Sequence, residues 1–196
     1  MKKTIVIATD KEFENIENGE FSEEVLITGL GKVNAAITLT HYLFQTKGDR
    51  RKLPDLLINY GTAGSADLPI GSLVDCTRFF QRDMDVSVME FIKGQTPFEK
   101  DIPVILDFSH IPNPINKHLL CGTGDNFVTE TENETFINVY DMEAYALAKV
   151  CWKYNINFVS YKYITDNVNK KSVKDWNENC ADGAELFKKL LEKYND

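Results

Sequence analysis

The sequence predicts an α/β domain on a largely parallel sheet, and three observations carry that prediction. Apolar runs rich in β-branched residues alternate with stretches whose apolar residues recur every three or four positions. Three of the runs end in small, glycine-containing turns: Gly29-Leu30-Gly31, Gly61-Thr62-Ala63-Gly64 and Gly122-Thr123-Gly124. The chain has 196 residues, 43% of them hydrophobic, enough for one domain with a sizeable core. Residues 1–196 are accordingly read as a single domain.

Each element follows in turn. Residues 4–9 (TIVIAT) read as a strand buried on both faces, and residues 25–28 as a second. A helix follows the Gly29-x-Gly31 turn, with Val33, Ala36, Ile37, Thr40, Leu43 and Phe44 at helical spacing. Residues 56–60 form a third strand. Residues 72–85 alternate weakly and suit a longer strand or a hairpin. A strand at 119–121 runs into the next glycine turn, and another spans 135–141. Residues 142–154 read as a helix with Ala144, Leu147, Ala148, Cys151 and Trp152 on its apolar side. Residues 157–165 are a strand. One closing helix takes Trp176, Cys180, Ala184, Phe187, Leu190, Leu191 and Tyr194 as apolar positions. Pro97, Pro103, Pro112 and Pro114 mark loops.

Composition removes several classes of function. A net charge of −8 argues against a nucleic-acid reader, which needs a basic face. No apolar run approaches the ~18 residues of a membrane span. The start Met-Lys-Lys-Thr lacks the apolar core of a signal peptide, because charge resumes at Asp10. Cys76, Cys121, Cys151 and Cys180 are widely spaced, with no zinc pattern, which suits a reduced cytoplasmic setting. His41, His110 and His118 form no metal-binding spacing, so no metal is expected.

The Gly29-x-Gly31 turn alone carries little. A dinucleotide fingerprint needs a third glycine where Asn34 stands, and a phosphate-binding GxxxxGK[ST] loop is absent. Four segments taken together say more. They are Ala8-Thr-Asp-Lys-Glu12, Asn59-Tyr-Gly-Thr-Ala-Gly64, Gly122-Thr-Gly-Asp-Asn-Phe-Val128, and Tyr140-Asp-Met-Glu-Ala144 followed by Lys162-Tyr-Ile-Thr-Asp166. With Thr28-Gly-Leu-Gly-Lys-Val33 and Asp83-Met-Asp-Val86, these resemble the methylthioadenosine/adenosylhomocysteine nucleosidases of the purine nucleoside phosphorylase superfamily, in the same order over most of the chain. The pair "DMEA" and "ITD" is the most diagnostic, where the family reads "EMEA" and "ISD".

The resemblance implies a three-layer α/β/α sandwich around a twisted mixed sheet. It implies hydrolysis of the purine–ribose bond of a 5′-substituted adenine nucleoside, without cofactor, by a homodimer. Asp166 stands at the general acid and Glu12 at the base that activates water. Glu143 stands where the ribose hydroxyls are held, with Met142 packing under the sugar. Phe127 stands where a ring stacks on the purine, followed by Val128. Thr62, Ala63 and Gly64 match the loop beside ribose and base, Thr62 replacing a serine. Val86, Met89 and Phe91 align with the apolar 5′-substituent region, Phe91 being the candidate to reach a partner's site. Lys162, on the nucleophile side, replaces an arginine, which exchanges a planar fork for a flexible point charge. Thr9 replaces a methionine, and the segment between Phe127 and Asp141 is shorter than the family's.

The chemistry independently calls for these residue types. An N-glycosidic bond breaks when the purine becomes a better leaving group and the sugar carbon gains positive charge. One carboxylic acid supplies the purine proton, a second carboxylate deprotonates water, and a third accepts from two hydroxyls. Crowding such groups raises the pKa of at least one. Each residue also has an ordinary structural explanation. Glu12 and Glu143 suit helix starts, Asp166 suits an N-cap or Asx turn, and Phe127 suits a core. A futalosine-type nucleosidase keeps the same chemistry with another 5′ group. A phosphorylase needs clustered arginines, and the chain offers only Arg50, Arg51, Arg78 and Arg82. A non-catalytic nucleoside binder has no need of all three carboxylates.

Overall fold

The computed structural model describes residues 1–14, 21–46, 53–130 and 136–194. Its strands are β1 (Lys3–Ile7), β2 (Glu24–Ile27), β3 (Leu56–Gly64), β4 (Leu73–Gln81), β5 (Ile105–Asp107), β6 (Leu119–Thr123), β7 (Val139–Asp141) and β8 (Asn157–Asp166). The helices are α1 (Lys32–Thr46), α2 (Ala144–Tyr154), α3 (Ser172–Asn179) and α4 (Ala184–Glu192), with a 3-10 turn at Asp10–Phe13.

The strands form one eight-stranded mixed sheet. β1 pairs in parallel with β2 and β3, and β3 with β8. β4 and β6 are parallel, as are β6 and β7. β8 also pairs antiparallel with β4, and β3 meets β7 antiparallel at Gly64↔Tyr140. Strands β3, β7, β6, β4 and β8 therefore close into a ring, with β1 and β2 extending from one side and β5 edging β4. The same strand ends that the ring gathers carry the candidate site.

Side-chain alternation along β8 shows how the helices cover the sheet. Phe158 packs 4.9 Å from Phe79 and 5.9 Å from Phe108, whose ring meets Trp152 of α2. Three residues on, and so on the opposite face, Tyr161 lies 6.1 Å from Phe187 of α4. The sheet is thus sandwiched between α2 and α4, in three layers. On the α4 side, Phe13, Tyr60 and Phe187 stack at centroid distances of 5.3 and 4.5 Å. The four cysteines are free and buried.

Several sequence expectations need correction. The closing helix is two helices. A Cβ on Gly183 would lie 2.5 Å from the Tyr60 hydroxyl, so only glycine fits where the chain turns over these rings. Of the two readings of residues 72–85, the longer strand holds, and it spans Leu73–Gln81. The strand expected over 135–141 is reduced to Val139–Asp141, and Thr135 lies outside the described residues. Residues 105–107, expected as loop among prolines, pair with β4. The second strand lies at the sheet edge and exposes Val25 and Ile27. In α1 the buried face is Ala35, Leu39 and Leu43, set against α2, while Val33, Ile37 and Phe44 face outward. A helix apolar on two sides cannot reveal its inner face through spacing alone.

Candidate active site

The carboxyl ends of β1, β3, β7 and β8 converge, as expected for ligand sites on such sheets, and enclose a cavity of about 270 Å³. Glu12 lies just beyond β1; Thr62, Ala63 and Gly64 end β3; Met142 and Glu143 follow β7; and Asp166 ends β8. Phe127 and Val128 close it from the loop after β6.

Glu12 bonds to two parts of the structure at once. It completes a capping box with Thr9 around the 3-10 turn, so its ordinary explanation holds. Yet its carboxylate also crosses to β3. Oε1 accepts from the Thr62 N–H at 2.9 Å and Oε2 from the Ala8 N–H at 3.1 Å. Burial pushes the carboxyl above its usual range, against the pull of the Lys162 ammonium and these N–H donors.

Asp141, which the sequence reading left without a role, organises the far wall. Oδ2 accepts from the Ala144 N–H at 2.8 Å and thereby caps α2, while Oδ1 accepts from the Thr123 hydroxyl at 2.6 Å. Lys162 Nζ stands 2.8 Å from Asp141 Oδ2. Burial opposes both charges, but each holds the other ionised: Asp141 titrates below its usual range and Lys162 above. Lys162 is not part of the cavity lining; it stands behind Glu12.

Because Asp141 caps the helix, Glu143 does not. Its side chain makes no capping bond, and Oε1 instead accepts from the Gly31 N–H at 2.7 Å. Gly31 holds φ at +86°, a left-handed value that glycine adopts without strain. Burial, then the Asp141 charge, pushes the Glu143 carboxyl up to about 7.

Asp166 arrives through an irregularity in the β3–β8 ladder. Ala63 pairs with Ile164 but Gly64 pairs with Asp166, leaving Thr165 as the extra residue of a bulge. A Cβ on Gly64 would lie 2.9 Å from Asp166 Oδ1, so glycine is required there for the carboxyl to fit. Asp166 Oδ1 also accepts from the Val168 N–H at 3.0 Å, the expected Asx turn.

Phe127 is 40% exposed and lines the cavity rather than the core. The loop preceding it is held by Arg82, which donates to Asn126 Oδ1 at 2.8 Å and to the Asn126 carbonyl at 2.7 Å. Val86, Met89 and Phe91 are not brought to the cavity; Phe91 packs against Phe98, and Met89 faces outward. The sequence reading missed Leu30, Arg82, Val173, Trp176 and Asn177 in the lining. The spacing of Val173, Trp176 and Asn177 on one face of α3 was visible, but the pattern read Trp176 as core. Arg50 and Arg51 lie outside the described residues. Among the described residues no cluster of His, Cys, Asp and Glu could hold a metal ion, and no helix is long and apolar enough to cross a membrane.

A family model described as the phosphorylase superfamily matches residues 14–195. The 5′-methylthioadenosine/S-adenosylhomocysteine nucleosidase of Bacillus cytotoxicus is 30% identical, over 88% of this chain and 85% of that one. Among solved structures, a mutant of the corresponding Helicobacter pylori nucleosidase with 5′-methylthioadenosine in the active site superposes with a TM-score of 0.78. It is 22% identical, over 98% of this chain and 96% of that one. The H. pylori futalosine hydrolase superposes with a TM-score of 0.78 at 21% identity, over 98% and 96%. These two likenesses establish the fold, and the nearer relative and the family model establish kinship. The chain belongs to the phosphorylase superfamily and, within it, to the 5′-methylthioadenosine/S-adenosylhomocysteine nucleosidases.

Proposed function

We propose that this cavity hydrolyses the N-glycosidic bond between adenine and ribose in 5′-methylthioadenosine and S-adenosylhomocysteine, releasing adenine and a thioribose. One observation carries the proposal: Glu12, Glu143 and Asp166, from three separate parts of the chain, line a single cavity together with Phe127. Asp166 acts as general acid toward the purine while Phe127 stacks on the base beside Val128, Ala63 and Gly64. Glu143 accepts from the ribose hydroxyls, with Met142 and Thr62 against the sugar. Glu12 takes the proton of the attacking water, and its charge favours the oxocarbenium-like sugar. Lys162 holds the charges behind the water side.

Water rather than phosphate is the nucleophile. Two like charges ~4 Å apart at an effective dielectric of 20 repel by about 4 kcal/mol, so Glu12 disfavours a phosphate dianion. Arg82, the arginine in the lining, is already bonded to Asn126. We also read the chain as one domain acting in the cytoplasm in methionine salvage, as a homodimer. The outward apolar side chains Val33, Ile37 and Phe44, with Val88, Met89 and Phe98, support a second copy there. In that dimer Val86, Met89 and Phe91 would complete the 5′ end of a site.

The test is incubation with 5′-methylthioadenosine, S-adenosylhomocysteine and futalosine in phosphate-free buffer, followed by detection of free base. Adenine release at a rate indifferent to added phosphate supports the proposal. Release from futalosine alone moves the substrate to the other nucleosidase class. A product phosphorylated at the anomeric carbon, formed only with phosphate, overturns hydrolysis.

A further inference from the structure

Trp176 lines the cavity from α3, and its polar atom is engaged by another lining residue. The indole Nε1–H donates to the Thr62 hydroxyl at 2.8 Å. That hydroxyl also lies 3.4 Å from Glu12 Oε1, which already accepts the Thr62 N–H at 2.9 Å. A hydroxyl has one proton and two acceptor positions, whereas an indole N–H only donates. With one lone pair of Thr62 occupied by Trp176, the hydroxyl proton is left to donate to the Glu12 carboxylate, which has no proton to give when ionised.

We propose that Trp176 is a positioning residue that orients the Thr62 hydroxyl as a donor to Glu12 Oε1, fixing the base through a Trp176–Thr62–Glu12 chain. Trp176 needs no contact with the reacting atoms for this. The effect is on the orientation of the carboxylate and on how readily it stays ionised. A hydrogen bond to the charged form favours that form. Here it adds to the opposition that Lys162 and the N–H donors offer to burial. Glu12 otherwise faces Lys162 from β8, Tyr60 from β3, Glu143 at the start of α2 and Cys180 beyond α3. Apart from Lys162 none of these favours the charged carboxylate, so the donors from Thr62 carry weight.

The role presupposes Glu12 as the base, and the test separates the two. The chain has two tryptophans, Trp152 and Trp176. In ¹⁵N-labelled protein the Trp176 indole signal is identified by its loss in Trp176→Phe, and Trp152 serves as internal control. The expected result is an indole signal that moves with pH as Glu12 titrates. The movement vanishes in Glu12→Gln and Thr62→Val and survives in Thr62→Ser. In parallel, Trp176→Phe lowers kcat about tenfold, the scale of one charge-assisted hydrogen bond. KM stays nearly unchanged, and the acid limb of kcat/KM moves to higher pH. Added to Thr62→Val, the same substitution does nothing further. An indole signal indifferent to Thr62→Val and Glu12→Gln overturns the proposal. So does a loss confined to KM, or one that persists undiminished in the Thr62→Val background. If wild-type protein releases no adenine while the indole signal titrates as described, the hydrolase assignment fails and the hydrogen-bonded chain stands.

Discussion

Lys162 Nζ sits 2.8 Å from Asp141 Oδ2 with both side chains out of water. The pair ties β8 to β7 behind the cavity and holds the carboxylate that caps α2. Taking one partner away leaves a buried charge uncompensated, at a cost of about 3–5 kcal/mol. Lys162→Met is therefore expected to lower the melting temperature by about 10 °C for a chain of this size. Adding Asp141→Asn should recover much of that loss, because both charges are then gone. Thermal unfolding of the two variants checks this; a double variant less stable than the single one contradicts it.

Asp166→Asn is expected to keep the fold and lose about 10²–10⁴ in kcat, since an amide supplies no carboxylic proton to the purine. The Asx turn survives, because the amide oxygen still accepts from Val168. Circular dichroism and turnover of the purified variant check both halves. Near-normal turnover removes Asp166 from the chemistry.

Glu12→Gln is expected to abolish hydrolysis and spare affinity for a non-hydrolysable nucleoside. The amide oxygen keeps one acceptor for Thr62 or Ala8 but cannot take a proton from water. Calorimetric titration beside a rate assay separates the two quantities. If affinity collapses together with rate, the residue shapes the cavity rather than acting on water.

Glu143 offers a pH-dependent stability test. Its carboxyl is pushed from 4.5 to about 7 in the folded chain, chiefly by burial. Between those values the folded state holds more protons than the unfolded state, so stability falls as pH rises through this window. The displacement corresponds to about 3 kcal/mol above pH 7. Glu143→Gln, which keeps an acceptor for Gly31, is expected to melt higher than wild type at pH 8 and to lose that advantage below pH 4.5. Activity falls meanwhile, because ribose loses its charged acceptor. Equal melting temperatures at both pH values contradict the prediction.

Phe127→Ala is expected to weaken nucleoside binding by roughly 1–3 kcal/mol, the range for a base stacked on an aromatic ring. At 40% exposure the ring contributes little to the core, so the melting temperature should hardly move. Unfolding with retained affinity in the folded fraction assigns Phe127 to packing instead.

Much of the fold was legible because its signals are local. The β-branched run at Lys3–Ile7 and the apolar face of α2 each report the burial of one element. The Gly29-x-Gly31 turn after β2 marked a real bend, but Gly61–Gly64 and Gly122–Thr123, expected as turns, continue β3 and β6 as paired strand. Pairing direction was less legible, since β8 lies parallel to β3 and antiparallel to β4 with no change in its own pattern. In α1 the outward Val33, Ile37 and Phe44 mimic a core stripe, and the choice of buried face belongs to α2.

The candidate carboxylates were named from the sequence, through chemistry and resemblance. Asp141 and Trp176 were not given their places. Asp141 caps a helix and pairs with Lys162, 21 residues further along the chain. Trp176 bonds Thr62 across 114 residues of chain. Neither relation leaves a mark in local spacing. Sequence alone determined which side chains could donate, accept or ionise, because those capacities are properties of the residue. Tertiary structure decided how they behave, because burial, the Thr165 bulge and the contacts of Lys162 and Trp176 arise only when distant segments meet.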